Sequence, residues 1–172
     1  MNQENLSRFV QLFTLNDTDA TQRVDERLTL VLRDPIAYQE QDLYADELEQ
    51  RDIVTRLPAQ ELRDIALIDA LSSEGLAWES SMREPTEMLM EELNEVLAIQ
   101  KRVEVDGSAL AGRRNTGPEV LDYLQDLLEP LGLALVLFTL DSDSYALSIV
   151  ADAQAAETRE LAQELGFGVT VY

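Results

Sequence analysis

No histidine and no cysteine occur in the 172 residues of this chain. The first absence removes the side chain that most often serves as general base and imidazole metal ligand. The second removes thiolate nucleophiles, thiolate metal ligands and disulfides, so cysteine usage leaves the redox compartment open. Basic residues are scarce too: 13 Lys and Arg face 34 Asp and Glu, for a formal net charge of −21. Lys101 is the single lysine and the sole Schiff-base candidate. Binding to nucleic acid through phosphate neutralisation requires clustered cations, and so does adsorption to anionic membranes; both are disfavoured. Long apolar runs are also missing. The longest, Leu133 to Leu140, falls well short of the roughly 20 residues that span a bilayer. The opening residues Met1 to Phe9 hold no apolar signal core, so a cytoplasmic location is expected.

What is present is a foldable chain. Hydrophobic residues make up 45%, more than an acidic disordered segment carries, so the charge rides on a folded body. The length predicts one domain over 1–172. Such charge steers basic partners inward, with on-rates that fall as salt rises; it also simply keeps a protein soluble. Both readings stand at this point.

The pattern is helical through about residue 100. Leu6, Phe9, Val10 and Phe13 predict a helix over 3–15, and Val24, Leu28, Val31 and Leu32 a second over about 19–33. Asp34-Pro35 restarts the chain as N-cap and first helical residue. Residues 36–56 predict one weakly amphipathic helix or two short ones. Pro58 opens a helix to about 73, whose buried side includes Leu62, Ile65, Ile68, Asp69 and Leu71; Gly75 ends it. Residues 76–79 alternate like a short edge strand. Ser81, Glu84 and Pro85 fit a helix start, with the helix running to about 100 and Leu89, Leu93, Val96 and Leu97 facing in.

Residues 101–117 read as a loop, locally basic at Lys101, Arg102, Arg113 and Arg114, with Gly107, Gly112 and Gly117. Thr116, Pro118 and Glu119 start the next helix, which carries Leu121, Leu124, Leu127 and Leu128 and stops at Pro130 and Gly132. Leu133 to Leu140 predicts a central strand, apolar on both faces. The turn at Asp141–Ser144 returns the chain along 145–150. Asp152 is placed as the cap of a helix closed by Gly166, and 167–171 as a last strand. Residues 118–172 thus form an α-β-β-α-β unit, with strand 133–140 in the middle and the last strand antiparallel to it. The class is α+β: a helical N-terminal two-thirds packed on one face of a small, mostly antiparallel sheet.

Chemistry is thinly signposted. Asp141 and Asp143 open like a calcium loop, but Tyr145 and Ala146 stand where an oxygen ligand and a glycine are needed, so a hairpin turn is the reading. Glu84, Glu87, Glu91 and Glu95 align on one helix face, as a Mg²⁺ or Ca²⁺ site or as a solvated face. Trp78 is the lone tryptophan and reads as core. The best interaction candidate is the acidic segment with interleaved tyrosines: Tyr38, Glu40, Asp42, Tyr44, Asp46, Glu47 and Glu49.

Three stretches carry a resemblance. They are Leu67 to Leu71 with Gly75 and Trp78, then Leu127 to Gly132, then Asp141 to Tyr145. Together they resemble an uncharacterised bacterial family known only as a domain of unknown function, over roughly residues 60–172. Glu79 follows Trp78 here, where the family pattern leads one to expect a nearby lysine. The resemblance implies a bacterial cytoplasmic α+β domain and brings no activity, cofactor or catalytic residue.

The expected function is a non-catalytic protein-interaction module, of the immunity- or antitoxin-like inhibitor kind, for a basic protein. No cofactor is expected, and neither nucleic acid nor membrane as partner. The alternatives are a carboxylate-based metal-dependent hydrolase using Glu84, Glu87, Glu91 and Glu95, and a DNA mimic.

Overall fold

Polar caps start the early helices. Asn2 accepts hydrogen bonds from the Glu4 and Asn5 amides, Asp17 from Ala20 and Asp34 from Ala37. The computed structural model describes residues 2–108 and 118–172. Helix α1 spans Gln3–Thr14 and α2 Thr18–Arg33. Their predicted apolar stripes are buried, apart from a partly exposed Leu32. Residues 35–50 form two short helices, α3 (Pro35–Glu40) and α4 (Asp42–Gln50), broken at Gln41. Helix α5 (Ala59–Ser73) is buried over most of its circumference. Then follow β1 (Trp78–Ser81), α6 (Thr86–Ile99), α7 (Glu119–Leu128), β2 (Leu133–Phe138), β3 (Ser144–Ala151), α8 (Ala155–Leu165) and β4 (Val169–Val171). Gly132, at φ 70°, makes the left-handed turn from α7 into β2.

The sheet order is β1-β3-β2-β4, every neighbouring pair antiparallel. Thus β4 lies beside β2 on the far side from β3, as the sequence predicts. Side chains alternate between two apolar clusters. Ala134, Val136, Phe138, Ala146, Val150 and Val171 face a core built with α1, α2, α5 and α8. Leu133, Leu135, Tyr145, Leu147 and Ile149 face a second core with α6, α7 and Trp78.

The α+β class holds, and the helices up to residue 73 pack on one face as expected. Helix α6 departs from that layout. It joins α7 on the opposite face, because Leu89, Leu93, Val96 and Leu97 cover the other side of the same strands. Coverage on both faces also buries β3 in both directions, Ser148 included, as it does β2.

Two predicted caps are replaced. Ser81 ends β1, and its hydroxyl accepts from the Arg83 amide instead of capping α6. Asp152 opens a 3-10 turn ahead of α8, and no side chain caps that helix. The loop residues Gly112, Arg113, Arg114 and Gly117, and the helix-start residue Thr116, lie outside the described residues.

Candidate functional site

On α2 the buried stripe Val24, Leu28 and Val31 also contains position 27, and position 27 is an arginine. Arg27 is only 6% exposed. Its Nε donates to the Tyr38 hydroxyl at 2.8 Å, its Nη2 donates to Glu47, and Asp69 lies 3.9 Å away. Its guanidinium sits 4.3 Å from the Tyr44 ring centroid, and Tyr44 stacks on Tyr38 at 4.5 Å. Arg51 continues the chain of charges, donating to Asp69 at 2.5 Å and to Glu79. The result is one half-buried ionic and aromatic unit that ties α2, α3, α4, α5 and β1 together.

Burial works against both guanidinium charges, yet bonds to Glu47 on Arg27, and to Asp69 and Glu79 on Arg51, hold both residues above the ordinary arginine range. Burial also pushes the Tyr38 phenol and the Asp69 carboxyl upward, against the pull of Arg27 and Arg51 respectively.

This geometry divides the acidic segment. On α4 the inward face is Tyr44, Glu47 and Leu48, while Asp42, Leu43, Asp46 and Glu49 point outward. Tyr38 is 1% exposed and belongs to the interior. The expectation of a seven-residue contact surface is therefore corrected: Tyr38, Tyr44 and Glu47 are structural, and Glu40, Asp42, Asp46 and Glu49 are exposed. Glu40 forms a solvent-exposed pair with Arg56 at 3.7 Å, which contributes little. Leu43, 61% exposed, and Ile36, 50% exposed, stand among these carboxylates. Arg27 and Arg51 are not among the residues that stood out in the sequence. The available signal was a charged residue on each of two buried helix faces, Arg27 on α2 and Asp69 on α5, which must find partners.

A cleft of about 270 Å³ opens beside Arg51, between the α4–α5 connection, the first turns of α5 and the β2–β3 turn. Ile53, Leu57, Ile65 and Leu140 give it an apolar floor, and Glu61, Asp64 and Asp141 a carboxylate rim. Asp64 is already satisfied by the Gly168 amide at 2.7 Å and by Gln60. Gly168 also lets the chain pass close to Thr139: a Cβ there would stand 2.4 Å from Thr139 Oγ1.

The other candidates are not brought together. Glu87, Glu91 and Glu95 are exposed on α6, and no group of three or more His, Cys, Asp or Glu able to hold a metal converges among the described residues. Glu84 instead approaches Glu92, whose carboxyl accepts from Ser80 at 2.5 Å. Burial raises the Glu92 carboxyl above the ordinary glutamate range. The Ser80 hydroxyl opposes this, and the neighbouring Glu84 charge adds to it. A raised folded value favours the protonated form, so this group's contribution is full below its unfolded value. It fades as pH rises through the folded one. Glu92→Gln is therefore expected to raise the melting temperature at pH 7 relative to the parent and leave it unchanged near pH 4. Equal melting curves at both pH values would refute the assignment.

Asp141 and Asp143 lie in the exposed hairpin turn, where the Ser142 hydroxyl accepts from the Ser144 amide. Trp78 is buried in the second core, with no bonded partner for its indole N–H. No helix among the described residues is long and apolar enough to cross a membrane.

These features define an α+β protein with a sheet covered by helices on both faces and an internally neutralised arginine pair. The chain belongs to the family described as a domain of unknown function, DUF6630, whose model matches residues 5–172. The family thus takes in the N-terminal helices as well as the region from about residue 60 that carries the sequence resemblance. No curated protein and no solved structure matches the chain.

Proposed function

We propose that this domain is a cytoplasmic, non-catalytic protein-interaction module that binds a basic protein, in the manner of an immunity or antitoxin-like inhibitor, through the outer face of α3 and α4. The observation that carries this reading is the division of the acidic segment. Tyr38, Tyr44 and Glu47 anchor both helices to the body. The same helices leave Leu43 and Ile36 exposed beside Glu40, Asp42, Asp46 and Glu49. Asp42, Asp46 and Glu49 form no ion pair among the described residues. A rigid patch combining free carboxylates with a large apolar side chain suits recognition of a cationic surface, with charge setting the on-rate and leucine supplying contact area.

Replacing Glu40, Asp42, Asp46 and Glu49 together by lysine is expected to preserve the far-ultraviolet circular dichroism spectrum. Association with the basic partner, captured from source cells at low salt, should slow by at least about tenfold. Capture by the parent should also weaken as salt rises. Equal retention of the same proteins by parent and variant at every salt concentration would remove this surface. Glu47 is left out of the variant because its reversal would break the bond to Arg27.

A further inference from the structure

We propose that the cleft between the α4–α5 connection and the β2–β3 turn is a binding site for an arginine side chain, presented by the basic partner; this rests on the reading of the domain as a binder of a basic protein. Three observations meet there. The volume, about 270 Å³, lies just below the roughly 300 Å³ at which small-molecule sites begin, a size suited to one side chain. The floor is aliphatic, as the stem of an arginine requires. The rim carries Glu61 and Asp141, neither of which has a hydrogen-bond or ion-pair partner among the described residues.

The charge balance selects a cation. Arg51 lines the same cleft, but Asp69 and Glu79 hold it, so two carboxylates stand against one guanidinium before the rim is counted. An anion would meet a surplus of negative charge. A guanidinium would meet two free carboxylates able to take it through paired N–H···O bonds, and its weak hydration lowers the cost of entry.

The test is a titration of the ¹⁵N-labelled full chain with N-acetyl-arginine amide, followed by amide chemical shifts, with N-acetyl-norleucine amide as the uncharged control. The expected result is saturable shifts confined to residues 51–57, 61–65 and 139–142, with a Kd on the order of millimolar for one side chain. Glu61→Gln combined with Asp141→Asn, both exposed, should keep the parent spectrum elsewhere and weaken binding by at least about tenfold. Three results would overturn the site: no saturable shift, an equal response to the norleucine amide, or shifts spread evenly over the carboxylates of α4 and α6. This titration uses no partner protein, and the capture experiment reads α3 and α4, so failure of the cleft and failure of the α3–α4 surface are told apart.

Discussion

Truncation of Arg27 to alanine is expected to cost about 3–5 kcal/mol of folding stability, the loss typical of breaking a buried ion pair from one side. The deletion strips Glu47 of its partner, leaves the buried Tyr38 hydroxyl without its donor and removes the cation from the Tyr44 ring. Folding stabilities of about 5–15 kcal/mol are usual, so the variant should sit close to unfolding. For a chain of this length the melting temperature should drop by about 6–20 °C. Arg27→Lys should fall between parent and alanine variant, because it keeps the charge and loses the planar fork that reaches Tyr38 and Glu47 together. Urea unfolding followed by circular dichroism decides the matter. A loss below about 1 kcal/mol for the alanine variant would mean that the unit is solvated and behaves like a surface pair.

Phe9→Ala is the second large effect, expected at about 3–5 kcal/mol from lost burial and the cavity left behind. Phe9 is fully buried in α1, stacks on Phe167 at 5.6 Å and meets Phe13 edge-on at 5.4 Å. Those contacts join the first helix to the segment leading into the last strand, 158 positions further along the chain. Arg8 pairs with Glu157 of α8 beside them. If residues 1–172 form one domain, the parent should melt in a single transition seen alike by near- and far-ultraviolet circular dichroism, and Phe9→Ala should shift the whole of it. Two separate transitions in the parent would divide the helical part from the sheet.

Local structure was legible from local signals. Asp34-Pro35 starts α3, the period of Leu6, Phe9, Val10 and Phe13 makes α1, and Gly132 and Gly166 end their helices with positive φ. The stretch 133–138 became an inner strand because nothing polar in it resists burial on either face, and the strand ends before the exposed Thr139. Where caps were misplaced, tertiary pairing prevailed: Ser81 was drawn into the register with Ser144, leaving α6 to begin at Thr86 without a side-chain cap.

The candidate site was legible in location and not in orientation. The segment 38–49 stood out for its carboxylates and tyrosines, yet composition alone does not say which of them face the body. The guanidinium that chooses is Arg27, from α2; Arg51, after α4, ties the unit on to Asp69 and Glu79. Arg27 contacts Glu47 across 20 residues of sequence, and Arg51 reaches Glu79 across 28. No local periodicity encodes such pairings; each buried charge takes the partner that the packing of other elements brings within reach.

The sequence by itself determined the α+β class, the helices and strands in order, the excess negative charge and the lack of imidazole and thiolate chemistry. These follow from composition and from periodicities shorter than a helix turn or two. Only the tertiary structure decided that α6 covers the opposite face of the sheet, that Tyr38, Tyr44 and Glu47 turn inward, and that Glu61 and Asp141 flank one cleft. Those outcomes depend on contacts between residues far apart in the chain, where the cost of leaving a charge or an apolar face unpartnered is settled only when distant elements meet.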